Sequence, residues 1–226
     1  MKKLFLGVIT ALSIASILVI GGATNVTADS HSSDAMKSTT FMDILNAVVV
    51  TDSSELENIR LSVGQMIPTD GANGAFGFGV ITGAGLEAII VTTTHAGVYD
   101  SIAQTDANDA SFHNHYVALH DLKDDPTCPG LQVRDISFQE PGDVHVSDYG
   151  IVFEDTPYYF GATHSLSGKH ISFNADDMPR AAVSFTINPV DPNGKTSVTD
   201  IAAVCINDVK SVDINDVVPS SYWEGN

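Results

Sequence analysis

Basic residues are scarce in this sequence. Only 10 of the 226 residues are Lys or Arg, against 28 Asp plus Glu, which gives a formal net charge of −18. Proteins that bind the phosphates of nucleic acids or anionic lipids need clustered Lys and Arg. The composition therefore predicts no nucleic-acid partner, and it favours an acidic, well-solvated surface that attracts cations.

Familiar catalytic motifs are also missing. The sequence has no Gly-x-Ser-x-Gly elbow, no His-Glu-x-x-His helix and no phosphate-binding loop. The glycine-rich residues 77–83 differ from a dinucleotide-binding fingerprint and are better explained as a closely packed strand. The acidic stretches 106–109 and 121–125 lack the spacing of a calcium loop and indicate ordinary turns. No reaction is assigned by motif.

Long apolar runs are limited to one, close to the start. Residues 4–20 are uncharged and apolar, they follow Lys2 and Lys3, and a small-residue cleavage site ends at Ala28. This pattern is typical of a secretory signal peptide over residues 1–28, with an uncleaved membrane anchor as the alternative. Both interpretations predict an extracytoplasmic protein that is secreted, periplasmic or held at the cell surface. Removal of the two lysines would lower the net charge to about −20.

The rest of the chain is predicted to contain one domain. Residues 29–40 are small and polar without periodicity, which indicates a flexible leader. Residues 41–226 are long enough for one β-rich domain with a proper core, and no transmembrane domain is expected after signal cleavage. The two cysteines, Cys128 and Cys205, predict a disulfide, because an isolated pair in an exported chain forms a bridge more often than a metal site.

Strand patterns dominate the predicted domain. Residues 86–94 and 112–119 are the clearest candidates, and residues 181–188 and 197–207 flank an Asn-Gly turn at Asn193 that predicts a hairpin. Shorter candidates are residues 132–138, 143–146, 150–154 and 169–173. Residues 41–50 fit a helix or a strand, and a capping box at residues 54–57 predicts a short helix toward Leu61. The fold class expected is a single antiparallel β-sandwich or flattened barrel with little helix.

Eight histidines accompany the ten Lys plus Arg residues. His113 and His115 lie two apart in a predicted strand, so their side chains project from one face and can converge on one metal ion. His95, at the end of the preceding predicted strand, is the first candidate for a third ligand. His145, which alternates with valines, is a further candidate. Weaker candidates are His120, His164 and His170.

Imidazole ligands suit Zn²⁺ or Cu²⁺. Because no Met or Cys partner is evident, a blue-copper electron-transfer site is not expected. The alternative is that these histidines are solvated surface groups or hydrogen-bonded packing residues.

The order of these motifs resembles the copper/zinc superoxide dismutases. Phe112-His113-Asn114-His115 is similar to the Phe-His-x-His copper strand of that family, and His145-Val146-Ser147-Asp148 is similar to its His-x-x-Asp zinc element. The resemblance implies a β-sandwich with copper at the first motif, zinc at the second and one disulfide in the order of Cys128 and Cys205. The chain departs from the family in having no histidine after His170 and no arginine among residues 201–204, just ahead of Cys205.

Three functions follow from these observations. The first is an exported β-sandwich protein that binds Zn²⁺ or Cu²⁺ through His95, His113, His115 and His145, with catalysis left open. The second is a metal-free envelope or surface module that associates with itself or with an envelope partner. The third is the dismutase-like metalloenzyme that the resemblance implies.

Overall fold

The computed structural model describes residues 40–51, 55–71, 73–176, 179–194, 201–214 and 216–219. The predicted signal peptide and residues 29–39 of the predicted leader lie outside these ranges. Strands account for most of these residues, and one 3-10 turn is found among them, at Gly85–Glu87. The strands of the described residues are β1 (Ile44–Thr51), β2 (Glu55–Val63), β3 (Phe76–Ile81), β4 (Ile89–Thr94), β5 (His113–Leu122), β6 (Gly130–Ile136), β7 (Asp143–Ser147), β8 (Gly150–Pro157), β9 (Tyr159–Thr163), β10 (His170–Asn174), β11 (Ala181–Val190), β12 (Ala203–Asp213) and β13 (Asp216–Pro219).

Six of these strands form a closed barrel in the order β11-β12-β6-β5-β4-β3, and all of its neighbouring strands are antiparallel. A second sheet has the order β13-β1-β2-β8-β7, in which only the β1–β13 pair is parallel. β9 and β10 form a separate hairpin. The mainly β, antiparallel prediction is confirmed, and the flattened barrel takes the form of a closed barrel covered by a sheet.

Side chains along the barrel strands face alternately outward and into the lumen, and they form one hydrophobic core on each side of the barrel wall. On β5, Tyr116 and Ala118 face outward and pack with residues of the second sheet such as Ile59 and Phe153. Val117 and Leu119 face inward and form a separate cluster in the barrel lumen. Side chains two apart on a strand share a face, so the inward face of β5 also carries His113 and His115.

The short helix predicted toward Leu61 is wrong. β2 covers this region, and its inward side chains Ile59, Leu61 and Val63 are buried at intervals of two. Burial of this face against the barrel favours a strand over the helix that the capping box indicated. The ambiguous residues 41–50 contain β1, which pairs with β2.

The predicted disulfide is confirmed. Cys128 and Cys205 are bonded, with Cα atoms 5.4 Å apart and a sequence separation of 77. The bridge joins the loop before β6 to β12, and both cysteines are buried. Among the described residues, no helix has the length and apolarity needed to cross a membrane.

Candidate metal centre

Three histidines lie together at one end of the barrel lumen. His113 and His115 belong to β5, and His95 follows the last residue of β4. The two strands are antiparallel neighbours, with Thr93 opposite His113 and Val91 opposite His115. All three histidines are buried. The ring centroid of His113 lies 4.8 Å from that of His95 and 5.0 Å from that of His115.

The carboxylate of Asp100 contacts all three imidazoles. Its Oδ2 lies 3.2 Å from Nε2 of His95, and its Oδ1 lies 3.3 Å from Nε2 of His113. The same Oδ1 is 3.8 Å from Nε2 of His115. The Nε2 atoms of His95 and His113 are 3.1 Å apart. One ligand atom each from His95, Asp100 and His113 therefore falls within 4.8 Å of the others, a spacing that suits a metal ion.

Backbone carbonyl groups fix the orientation of two rings. Nδ1 of His113 donates to the carbonyl oxygen of Ser111 at 2.8 Å, and Nδ1 of His115 donates to that of Ser137 at 2.7 Å. A carbonyl oxygen only accepts, so in each neutral ring the lone pair is on Nε2, the nitrogen directed at Asp100. Metal-binding histidines are commonly held this way by a hydrogen bond at their other nitrogen. The hydroxyl of Thr93 lies 3.2 Å from Nε2 of His113.

The polar atoms of this cluster are incompletely satisfied. Within the described part of the chain, Nε2 of His115, Nδ1 of His95 and Oδ1 of Asp100 are buried and form no hydrogen bond. Buried polar groups in folded proteins nearly always have a partner, and exceptions are found at sites that take an ion or a water molecule. Three such atoms in one cluster mark it as a candidate binding site.

Burial and local charge favour the ligand-ready forms of two of these groups. Burial lowers the pKa of His115 to about 4, although the charge of Asp100 opposes the shift. Burial alone would raise the pKa of Asp100, but its contacts with His113 and His95 and the nearby His115 hold that pKa well below the usual value. A metal ion requires this combination of neutral imidazole and ionised carboxylate. Without a metal, the contact between Asp100 and an imidazole nitrogen needs a proton, which metal binding would displace.

Gln104 positions the loop that carries Asp100. Its buried side-chain oxygen accepts hydrogen bonds from the backbone N–H groups of Asp100 and Ser101 at 3.0 and 3.2 Å. Its amide nitrogen donates to the carbonyl oxygens of Val98 and Asp109. These four bonds close the loop around one side chain and hold the carboxylate at the end of the barrel.

The donor spacing agrees with a small metal ion. Four corners about 2.1 Å from a tetrahedral centre, the usual bond length for Zn²⁺ with nitrogen or oxygen ligands, are about 3.4 Å apart. The donor atoms of His95, Asp100 and His113 are 3.1 to 3.3 Å apart, which fits three of these corners, and Nε2 of His115 lies 3.8 Å from Oδ1 of Asp100. His95, Asp100 and His115 also line the lumen cavity, so the site is open on that side. Open sites of this kind can accept water or a substrate as an additional ligand.

The structure brings together His95, His113 and His115, but it does not bring His145 to them. His145 lies on β7 in the second sheet, 70% of its side chain is exposed, and its Nε2 pairs with Glu154 at 3.3 Å. The valines on either side of it pack toward the barrel, which directs His145 to solvent. The weaker candidates are also elsewhere. His120 and His170 are exposed, and His164 accepts hydrogen bonds from the backbone of Leu166 and Ser167.

Sequence reasoning missed Asp100. The residue lies in the loop between β4 and β5, five positions after His95, where no strand or helix periodicity predicts a direction for its side chain. The one available signal was its place beside Val98 and Tyr99, which makes it an acid in a locally apolar stretch.

No protein-family model, no curated protein and no solved structure matches this chain.

Proposed function

We propose that this is an exported protein that binds one divalent transition metal ion, Zn²⁺ or Cu²⁺, inside the end of its barrel. His95, Asp100 and His113 would supply three ligands, and the fourth position would lie open toward the cavity, beside His115. The observation that carries the proposal is the convergence of three imidazole Nε2 atoms on one buried carboxylate, with separations of 3.1 to 3.8 Å. The carboxylate widens the range of suitable ions to Fe²⁺ and Mn²⁺, so the identity of the ion is a matter for direct measurement.

Export is supported by the disulfide. Bridges such as Cys128–Cys205 persist in oxidising compartments and are rare in the cytosol. In such a compartment the acidic chain would meet metal ions from the surroundings, and its charge would attract them.

A metal ion at this position would supply Lewis-acid chemistry. It would lower the pKa of a bound water to about 7 and polarise an oxygen atom of a ligand in the lumen. The protein would contribute the fixed orientation of His113 and His115, the loop that carries Asp100 and an apolar cavity that excludes bulk water. A hydrolytic or hydration reaction is therefore the class of catalysis that this site suits best.

Metal analysis of untagged protein tests the proposal. We expect about one equivalent of a divalent metal per chain after reconstitution and dialysis. Less than about a tenth of an equivalent of Zn, Cu, Fe or Mn would refute metal binding and favour the metal-free surface module.

Matched glutamine variants locate the ion. His113→Gln removes a ligand, and we expect the metal affinity to fall by more than about 100-fold, because loss of even an outer partner of a ligand costs about 10–100-fold. His145→Gln removes an exposed histidine of the second sheet and should leave the affinity unchanged. Equal losses in both variants would place the ion elsewhere.

Dismutase activity is a narrower proposal that rests on the motif resemblance. It would place copper at His113 and His115, and it needs a redox-active ion. A superoxide dismutase assay of the copper-loaded protein tests this proposal. A rate no higher than that of copper bound at a surface histidine would exclude dismutase activity.

A further inference from the structure

The barrel encloses a cavity of about 390 Å³. This volume falls in the range of about 300–1,000 Å³ that is typical of small-molecule sites. Many inward positions of the barrel strands carry valine rather than a larger residue, which leaves part of the lumen unfilled.

The chemistry of the cavity wall is strongly asymmetric. Aliphatic and aromatic side chains such as Ile89, Val117, Val183 and Phe185 form most of it. The ionisable groups that line it are His95, Asp100 and His115, all at one end. Apolar walls with a few convergent polar groups are the usual composition of a site for a small organic molecule. A ligand that fits this wall has an apolar body and one polar end.

The cavity is deep enough for an extended chain. Val117 and Leu119 follow His115 on the inward face of β5 and both line the cavity. At about 3.3 Å per residue, Leu119 lies about 13 Å beyond His115 along the strand. An apolar chain with its polar end at His115 can therefore extend well past Val117.

The cavity borders solvent close to the polar end. Leu166 lines the cavity, although half of this residue is exposed. The hydroxyl of the preceding Ser165 donates to the backbone carbonyl of Asp100 at 2.6 Å, which places this opening beside the cluster. Tyr99 and Ile102, close to Asp100 in the same loop, are also large exposed hydrophobic residues, although neither lines the cavity. The exposed side chain of Leu166 gives the opening an apolar edge, which suits the entry of an apolar ligand.

Charge balance selects the polar end of the ligand. A divalent ion bound by the two neutral imidazoles of His95 and His113 and the single carboxylate of Asp100 carries one uncompensated positive charge. A buried net charge is costly unless it is paired. One anionic oxygen group at the open side of the ion would neutralise the site.

We infer that the barrel lumen binds an apolar monocarboxylate of medium chain length, with its carboxylate on the metal ion and its chain along β5 toward Leu119. The inference rests on the proposed metal site, because the ion provides the charge that the carboxylate neutralises. It adds a ligand class and a binding orientation that the metal site alone does not specify.

Calorimetric titration of the zinc-loaded protein with octanoate and decanoate tests the inference, after metal content has been measured. We expect decanoate to bind more tightly, by about fourfold for each added methylene group. Decanol, which has the same chain but no charge, should bind at least about tenfold more weakly. In cobalt-substituted protein, decanoate should change the visible absorption spectrum because it becomes a ligand of the ion.

A lumen variant and its matched control separate binding in the cavity from binding at the surface. Val117→Phe fills the lumen, and it should weaken decanoate binding by more than about tenfold while metal content stays at one equivalent. Val152→Phe makes the same change on β8 opposite His145, away from the barrel, and should have no effect. If Val117→Phe does not fold, Val133→Phe on β6 narrows the cavity farther from the metal and should weaken decanoate more than butanoate.

The outcomes distinguish the two proposals. Protein that holds one equivalent of metal but does not bind decanoate at millimolar concentration overturns the lumen inference and leaves the metal site intact. Decanoate binding of equal strength with and without metal also overturns it, because the carboxylate would then not lie on the ion. Absence of bound metal overturns the proposed function and this inference together.

Discussion

At the residue scale, His115 shows how the lumen controls the state of a site residue. It has no exposed surface, its Nδ1 is bonded to Ser137, and the charged or titratable groups around it are Asp100, His113 and His95. Burial dominates and lowers its pKa to about 4, so the folded protein holds this ring neutral. A buried neutral histidine is one of the groups through which acid destabilises proteins.

The metal-free protein should therefore lose stability as the pH falls from about 6.5 toward 4. In this window the unfolded chain binds a proton at His115 and the folded chain does not, so stability rises with pH. Between pH 7 and pH 5 the free energy of unfolding is expected to fall by about 2 kcal/mol. Urea unfolding of EDTA-treated protein at both pH values measures this difference. His115→Gln should reduce the difference, and His145→Gln should retain it; the same pH dependence in all three proteins would contradict this explanation.

Some residues of the candidate site could be predicted from the sequence and others could not. His113 and His115 were predicted to act together because strand geometry alone places them on one face, and His95 because it follows a strand. Asp100 was not predicted, because its position depends on a loop closed by Gln104, and such bonds from a side chain to the backbone leave no periodic signal. His145 was included because it also lies on a strand, and alternation does not say which of two sheets a strand joins.

At the element scale, β3 allows the barrel walls to approach closely. A Cβ atom added at Gly79 would lie 2.5 Å from the carbonyl oxygen of Ile90 and 2.9 Å from Cγ1 of Val91. Gly79→Ala should therefore lower the free energy of unfolding by about 1–3 kcal/mol, the usual cost of overpacking. Gly161→Ala on β9, where the nearest atom would be 3.6 Å away, is the control. Thermal unfolding compares them, and equal stability of the two variants would argue against a tight wall at β3.

Most strands were predictable, but β2 was predicted as a helix and β9 and β13 were not predicted. The strand predicted over residues 112–119 corresponds to β5, because its apolar side chains alternate between the lumen and the second sheet. β2 was taken for a helix because a local capping pattern was stronger than its alternation, and the pairing of β2 with β1 and β8 outweighs that pattern in the folded chain. Local sequence reports propensity, whereas the choice between helix and strand here is made by distant partners.

At the scale of the whole molecule, closure of the barrel depends on its shortest ladder. Among the described residues, β6 and β12 share two pairs of Cα partners, Leu131 with Ile206 and Gln132 with Cys205. The disulfide joins the chain next to this seam, since Cys205 belongs to it and Cys128 lies two residues before β6. Closure between strands so far apart in sequence could not be predicted from strand patterns, which is why sandwich and barrel remained alternatives.

Reduction of the disulfide should therefore weaken the barrel at the β6–β12 seam first. The bridge closes a loop of 77 residues, so its loss should cost about 4 kcal/mol of stability in the chain-entropy model. Hydrogen exchange should accelerate at Leu131, Gln132 and Ile206 well before it does at the β3–β4 ladder, where six pairs of residues hold the wall. The paired Cys128→Ser and Cys205→Ser variant should match the reduced protein in urea midpoint and exchange pattern. Uniform acceleration across all six barrel strands would mean instead that the disulfide stabilises the whole fold and not its point of closure.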